Sequence, residues 1–369
     1  MKIGVIGAGR LGICFALLCE QAGYEILVSD VREDYVQNLN QRLIVTSEPE
    51  VAGLLDDAKN FRATTSNLEV IQECDIIYTL VATPSLPSGD YDVSAVWNVV
   101  NDIIESGITD KTFIVGCTTN PGDCAQFQDK LIGCNWKVFY NPEFIAQGSI
   151  IRDLRRADMV LIGGERGDVH DELCKLYVKI QETTPKINIM STTAAELVKL
   201  AVNCFLTTKI SYANMVGEVM TLAGLEDEIP DVLTAIGNDS RVGKKYLNYG
   251  YGFGGPCLPR DNRSFAAYAN KLGLEYNLGM TTDNFNDEHS RFLLNYFVKK
   301  NEKNLPFCFH YVSYKEGTDI LTESQQYHLC LNLLDKGYKV YVVEDYVKSQ
   351  CDDRIIFGIP NEEVFWIEL

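Results

Sequence analysis

An α/β chain is predicted: a doubly wound, mostly parallel sheet first, then a domain of long helices, then a short second α/β unit. Three observations predict it. Short β-branched runs alternate with helical patterns over the first half of the chain. A glycine-spaced turn joins the first run to the first helix. From Thr192 onward the sequence runs helical for about thirty residues with Gly217 as its one interruption. Alternation of strand and helix implies parallel strands covered on both faces.

The first strand is read at Lys2 to Ile6, followed by the turn Gly7-Ala8-Gly9-Arg10-Leu11-Gly12. A helix with apolar residues at 3.6-residue spacing runs from Leu11 to Gln21 and Gly23 stops it. A second strand, Glu25 to Ser29, ends at Asp30. Further apolar runs at Asp75–Val81, Thr112–Gly116, Lys137–Tyr140 and Met159–Gly163 complete a Rossmann-type domain over residues 1–190. A central helical domain follows over 191–300. Thr192 and Thr193 offer N-caps there, and Thr193 with Glu196 has capping-box spacing. The third unit, 301–369, starts with a strand at Phe307 to Ser313, a helix near Ser324 to Asp335 and a strand at Tyr338 to Val343. Gly337-Tyr338-Lys339-Val340 echoes Gly23-Tyr24-Glu25-Ile26. This last unit is short for a full doubly wound domain.

The chain has 369 residues, 46% hydrophobic and 23% charged, enough apolar material for a core in each domain. Its formal net charge of -18 repels nucleic acid and anionic membrane surfaces, and no run of Lys or Arg offsets that field. An anionic substrate therefore needs locally gathered cations. The twelve cysteines include no CxxC pair. Together with the interrupted apolar N-terminus and the absence of any ~20-residue apolar run, this predicts a cytoplasmic protein. The four histidines are scattered, leaving no His–Asp base of the lactate-dehydrogenase kind. No metal-ligand spacing occurs either, and no metal is expected.

GxGxxG between a strand and a helix is a dinucleotide site. Gly7 serves the tight turn, Gly9 the approach of a pyrophosphate, and Gly12 the close packing of helix on strand. The helix N-terminus adds amides and a favourable dipole. Asp30 at the second strand's end suits the ribose hydroxyls and disfavours a 2′-phosphate, so NAD is expected over NADP. Arg32 reads as a solvated loop charge. Val81, Thr83 and Pro84 end a later strand, at the sheet edge where the nicotinamide half belongs.

Three further segments carry reactive groups: Asn141-Pro142-Glu143-Phe144-Ile145-Ala146-Gln147-Gly148, then Lys199 and Asn203 four apart on one helix face, then Gly252-Phe253-Gly254-Gly255-Pro256-Cys257-Leu258-Pro259-Arg260-Asp261. A cysteine among glycines and prolines is off any buried periodic face and open to a substrate. In this order the segments resemble the UDP-glucose/GDP-mannose dehydrogenase family, with its GxGxxG start, NPEF(L/I)AxG loop, KLxxNxFL helix and GFGGxCxxKD loop. The likeness is greatest to the family's UDP-glucose-oxidising branch.

That resemblance implies an NAD-dependent, four-electron oxidation of a nucleotide sugar, UDP-glucose to its uronate. Cys257 would be the nucleophile forming a thiohemiacetal and then a thioester. Lys199 and Asn203 would stabilise the oxyanion, and Asp261 or Glu143 would activate water, with Thr118 nearby. Gln147 would touch the cofactor. The resemblance gives Phe144, Arg241 (from a neighbouring subunit), Asn248, Tyr249, Gly252, Phe253, Gly254, Arg260, Tyr314 and Lys315 to the substrate, and implies a homodimer or larger homo-oligomer. Gln147, Arg260 and Thr322 stand where the family has Glu, Lys and Arg. Two other readings are a two-electron 3-hydroxyacid or 6-phosphogluconate-like dehydrogenase, and a non-catalytic subunit that binds nucleotide sugars. One NADH per substrate marks the former, and binding without turnover the latter.

Overall fold

The computed structural model describes residues 1–146 and 148–369, divided into two compact units, Met1–Lys199 and Leu200–Leu369. In the first unit β1 (Lys2–Ile6), α1 (Arg10–Gln21), β2 (Glu25–Ser29), α2 (Glu33–Asn40), α3 (Val51–Asp57), β3 (Phe61–Thr64), α4 (Asn67–Glu73) and β4 (Ile76–Thr79) come first. Then follow α5 (Ser94–Ser106), β5 (Thr112–Val115), α6 (Asp123–Leu131), β6 (Lys137–Tyr140), α7 (Ile150–Arg155), β7 (Val160–Gly163), α8 (Asp168–Ile180) and β8 (Ile187–Met190).

The strands form one sheet in the order β3-β2-β1-β4-β5-β6-β7-β8. Pairing is parallel from β3 through β6; β7 meets β6 antiparallel at Tyr140↔Gly163, and β8 runs parallel to β7. The chain leaves β1 first for one side of the sheet and later for the other, so β1 and β4 flank the switch point where open α/β sheets bind ligands. All residues of β4, β5 and β7 are buried, as expected of strands covered on both faces. One face packs Ile3, Val5 and Phe15 among others, and the opposite face Ile6, Ile77, Phe113 and Trp136. The doubly wound sheet expected from the sequence is present. β3 and β8 add to the strands read there.

A helix of 31 residues, α9 (Thr192–Leu222), gives its first turns to this unit and the rest to the second. At ~1.5 Å per residue it is about 46 Å long. Its cap differs from the capping box expected: the Ser191 hydroxyl accepts from Ala194 N. Glu196 is instead fully buried and engaged elsewhere, as described below.

The second unit continues with α10 (Ile229–Asn238), α11 (Leu258–Lys271), α12 (Leu278–Lys300), β9 (Phe307–Phe309), α13 (Gln325–Asp335), β10 (Val340–Val342), β11 (Ile356–Phe357) and β12 (Phe365–Trp366). Its four strands form a small parallel sheet, β11-β10-β9-β12. Phe307, Phe309, Val340 and Val342 pack on Leu329 and Leu333 of α13 and on Leu293 and Phe297 of α12. The echoing phrases are the same device twice. Gly23 (φ +91°) and Gly337 (φ +89°) each follow a helix. Tyr24 N bonds to Cys19 O with Gly23 N to Glu20 O, and Tyr338 N bonds to Leu333 O with Gly337 N to Leu334 O. This is the Schellman arrangement, which needs a left-handed residue where glycine stands. No helix among the described residues is long and apolar enough to cross a membrane.

Candidate active site

The glycine turn follows β1 directly. Gly7 has φ +97°, and a Cβ there would lie 2.8 Å from Leu80 O. A Cβ on Gly12 would lie 2.0 Å from Gly7 O, whereas one on Gly9 would meet nothing within 4 Å. Helix and strand therefore touch at Gly12, while Gly9 faces open space at the α1 N-terminus. That is the cradle a pyrophosphate requires. No acidic side chain occupies the first turn of α1.

Asp30 ends β2, its backbone N bonded to Thr64 O. Arg32 is not a loose loop charge. Its Nε and Nη2 donate to Asp30 Oδ1 and Oδ2 at 2.8 Å each, and it stacks 4.1 Å from the Tyr35 ring centroid. Burial opposes ionisation of Asp30, but Arg32, with the Ala8 amide, outweighs it and holds the carboxyl below its usual range. Oδ1 also accepts from the Arg32 backbone N at 3.1 Å, which holds the carboxylate in place at the end of β2. The residues present fit a dinucleotide.

Because β1, β4, β5 and β6 are parallel neighbours, the segments after them share one sheet edge: Gly7–Gly12, Val81–Pro84 with Thr83 buried, Gly116–Asn120 with Thr118 half-buried, and Asn141–Ala146. Buried acids hold the chain at or just beyond two of these segments. Glu196 accepts from Thr119 Oγ1 (2.9 Å), Gly122 N (2.7 Å) and Cys124 N (2.9 Å), fixing the turn beyond Thr118. Glu48 accepts from Gly148 N at 2.7 Å and Ile150 N at 3.3 Å. Gln147 lies outside the described residues.

Glu143 receives the Tyr177 hydroxyl at 2.6 Å, and Lys199 Nζ donates to the Glu143 carbonyl at 2.8 Å. Lys199 is itself buried, 4.8 Å from the Phe144 ring centroid. Burial raises the Glu143 carboxyl to about 7, with Tyr177 and the Lys199 charge pulling the other way. A carboxyl poised there can take and return a proton near neutrality.

In the second unit Cys257 is the one exposed cysteine, and none of the twelve is in a disulfide. It caps the N-terminus of α11, whose partial positive charge faces the residue ahead of it. One turn on, Asp261 is buried; its N bonds to Cys257 O at 2.9 Å and its Oδ2 accepts from Asn203 Nδ2 at 2.5 Å. Asn203, Cys257 and Asp261 are thus brought together, and Lys199 joins Glu143 and Phe144 in the first unit. Arg260, half-buried, lies on α11 beside Asp261.

The segment Asn248–Gly254 is held by its backbone. Gly250 N bonds to Asn214 Oδ1, Gly250 O to His289 Nε2, and Phe253 N and O to the Asn286 amide. Asn248 is exposed, Tyr249 half-buried against Gly217, and the Phe253 side chain buried. A Cβ on Gly252 would lie 2.2 Å from Asn286 Oδ1, one on Gly254 2.3 Å from Glu323 O, and one on Gly255 2.5 Å from the Tyr314 ring. Tyr314 thus packs directly on the loop that bears Cys257, with Lys315 exposed beside it. Arg263 of α11 locks Glu323 there, pairing also with Asp283. Arg241, 86% exposed at its side chain, pairs with Asp239 two residues before it. Tyr177, Glu48, Arg263 and His289 were not singled out by the sequence, and Glu196 was read there as a capping-box residue.

The dinucleotide cradle of the first unit defines the class, an NAD-dependent dehydrogenase; the second unit carries an exposed thiol and a buried Asn–Asp pair. Residues 1–181 match the NAD-binding domain of the UDP-glucose/GDP-mannose dehydrogenase family, and residues 193–288 match its central domain. The chain belongs to that family, whose members are nucleotide-sugar dehydrogenases with NAD as cofactor. It is 27% identical over 370 residues to the UDP-glucose 6-dehydrogenase AglM of Haloferax volcanii, covering 96% of this chain and 85% of that one. A solved UDP-glucose dehydrogenase from Pyrobaculum islandicum superposes with a TM-score of 0.88 at 26% identity, over 97% of this chain and 86% of that one. The fold is shared, at 22% identity and a TM-score of 0.81, with a UDP-D-ManNAc dehydrogenase from Pyrococcus horikoshii, over 94% and 84%.

Proposed function

We infer that this chain oxidises the primary alcohol of UDP-glucose to the carboxylate, holding the intermediate on Cys257. The observation that carries this reading is the exposed Cys257 thiol, one helical turn from a buried Asp261 that Asn203 holds. NAD, when bound, accepts two electrons at a time, so alcohol to acid consumes two molecules of it. The alcohol loses two electrons and two protons to become an aldehyde. Cys257 Sγ adds to the aldehyde carbon, and Lys199 and Asn203 stabilise the oxygen as it gains charge. Loss of two more electrons and two protons, the thiol's own among them, leaves a thioester on Cys257. Glu143 accepts a proton from water, which attacks the thioester and releases carboxylate and thiol; Thr118 orients that water. Asp261 positions Asn203.

Asn248, Tyr249, Gly252, Phe253 and Gly254 wrap the nucleotide through exposed edges and backbone. Phe144, Arg260, Tyr314 and Lys315 contact the sugar diphosphate, and Arg241 reaches it from a second subunit. Its exposure fits that use. Phe205 (64% exposed), Met215 (44%), Val219 (61%) and Leu222 (80%) form an apolar stripe along α9, the surface on which two copies assemble. Val219→Asp should then lower the mass seen by light scattering to that of one chain.

The test is a panel of nucleotide sugars with NAD, following NADH per substrate consumed. Two NADH with UDP-glucose supports the reading. One NADH, no turnover, or preference for another sugar overturns it.

A further inference from the structure

Tyr78, Asn141, Glu143 and Tyr177 form a polar cluster inside the first unit, and its protons can be counted. Asn141 Nδ2 donates to Leu161 O at 2.9 Å, which fixes Asn141 Oδ1 as an acceptor facing the tyrosines. The Tyr78 hydroxyl lies 3.1 Å from that oxygen. The Tyr177 hydroxyl lies 2.8 Å from it and 2.6 Å from Glu143 Oε1. Tyr177 therefore has one proton and two acceptors. When Glu143 is ionised, the carboxylate is the stronger acceptor and takes that proton, and Tyr78 still serves Asn141. When Glu143 is protonated, its own O–H can donate to Tyr177 Oη, and Tyr177 turns its proton to Asn141.

We propose that Tyr177 is a positioning residue for Glu143: its hydroxyl turns between Asn141 and Glu143, so Glu143 can gain and lose a proton without leaving an unpaired polar group in the interior. The inference rests on the reading of Glu143 as the group that takes a proton from water. An unpaired buried polar group would oppose one of the two states, so a cluster satisfied in both is what reversible proton transfer needs.

The groups facing Glu143 are Tyr177 from α8, Lys199 from α9, Tyr78 from β4 and Cys19 from α1. Burial pushes the Cys19 thiol and both tyrosine hydroxyls well up. They keep their protons, and Lys199 keeps its place on the Glu143 carbonyl. Glu143 is the member that changes charge.

Infrared difference spectra across neutral pH, without substrate, test this. The protonated carboxyl band of Glu143, assigned by its loss in Glu143→Gln, should fade with rising pH, and a tyrosine C–O band should shift at the same midpoint. Tyr177→Phe removes the donor that favours the ionised form, so the carboxyl midpoint should rise by about one pH unit. Tyr78→Phe, which leaves the bond to Glu143 intact, should leave that midpoint in place. In turnover, Tyr177→Phe should move the rising limb of kcat up by the same amount and leave KM unchanged. A midpoint unchanged or lowered in Tyr177→Phe, or an equal shift in Tyr78→Phe, overturns the proposal. If Tyr177→Phe does not fold, the wild-type spectra decide: a tyrosine band that ignores the carboxyl titration overturns it. These spectra need no turnover, so a chain inactive on every nucleotide sugar would sink the assigned reaction and leave this result standing separately.

Discussion

Replacing Glu196 by alanine should destabilise the first unit severely. The buried carboxylate accepts three hydrogen bonds, from Thr119 Oγ1 and from the amides of Gly122 and Cys124. Hydrogen bonds to a charged group contribute ~1.5–3 kcal/mol each, and two of these three donors are backbone amides that alanine would strand. Against this stands the desolvation of the carboxylate, which pushes the Glu196 carboxyl upward despite its donors. Allowing for that and for water entering the gap, a loss of about 3–5 kcal/mol is expected. At roughly 2–4 °C per kcal/mol for a domain of this size, Tm should fall by about 10 °C. Glu196→Gln keeps the shape and one acceptor, so it should fall between alanine and wild type. Urea and thermal unfolding followed by circular dichroism measure both, and amide exchange at Gly122 and Cys124 localises the effect. A loss under about 1 kcal/mol in Glu196→Ala would refute the assignment of Glu196 as the anchor of the turn beside Thr118.

Two glycines of the cofactor turn should separate folding from binding. Gly12→Ala drives a Cβ into Gly7 O and should lower both Tm and NAD affinity, the latter at least ~10-fold; Gly9→Ala meets only open space and should keep Tm while weakening NAD by a similar factor. Calorimetric titration with NAD and a melting curve read the two effects. Glu143 makes stability depend on pH. Its carboxyl titrates near ~4.3 unfolded and at about 7 folded, so folding takes up a proton between these values. This contribution, at most about 4 kcal/mol, is fully present below the unfolded value and is lost as pH rises through the folded one. Glu143→Gln should flatten that slope in urea midpoints measured against pH.

Local signals carried most of the fold. Gly7 and Gly12 announce a backbone with no room for a side chain, Gly9 an open approach to the helix end, and Gly23 and Gly337 two like helix ends. The long helix was legible from Thr192 to Leu222 because nothing but Gly217 breaks it. What escaped depends on partners distant in sequence. Thr193 and Glu196 match a capping box, yet Glu196 finds three donors more than seventy residues away, while Ser191 does the capping. β3 places charged Arg62 in a four-residue strand at the sheet edge, and β11 and β12 are two residues each, too short for a period. Cys257 was readable because glycines and prolines surround it. Tyr177 and Arg263 were not: an aromatic or an arginine on a helix looks the same in sequence whether it fills space or holds a carboxyl group or a loop.

Cys257 carries the account, and mass spectrometry of its peptide examines it most directly. Glu143→Gln should slow thioester hydrolysis, so quenching that variant after mixing with UDP-glucose and NAD should find the uronyl group attached to Cys257, with two NADH formed per adduct. An unmodified Cys257 thiol in the quenched variant, or undiminished turnover by Cys257→Ser, would contradict the covalent four-electron oxidation.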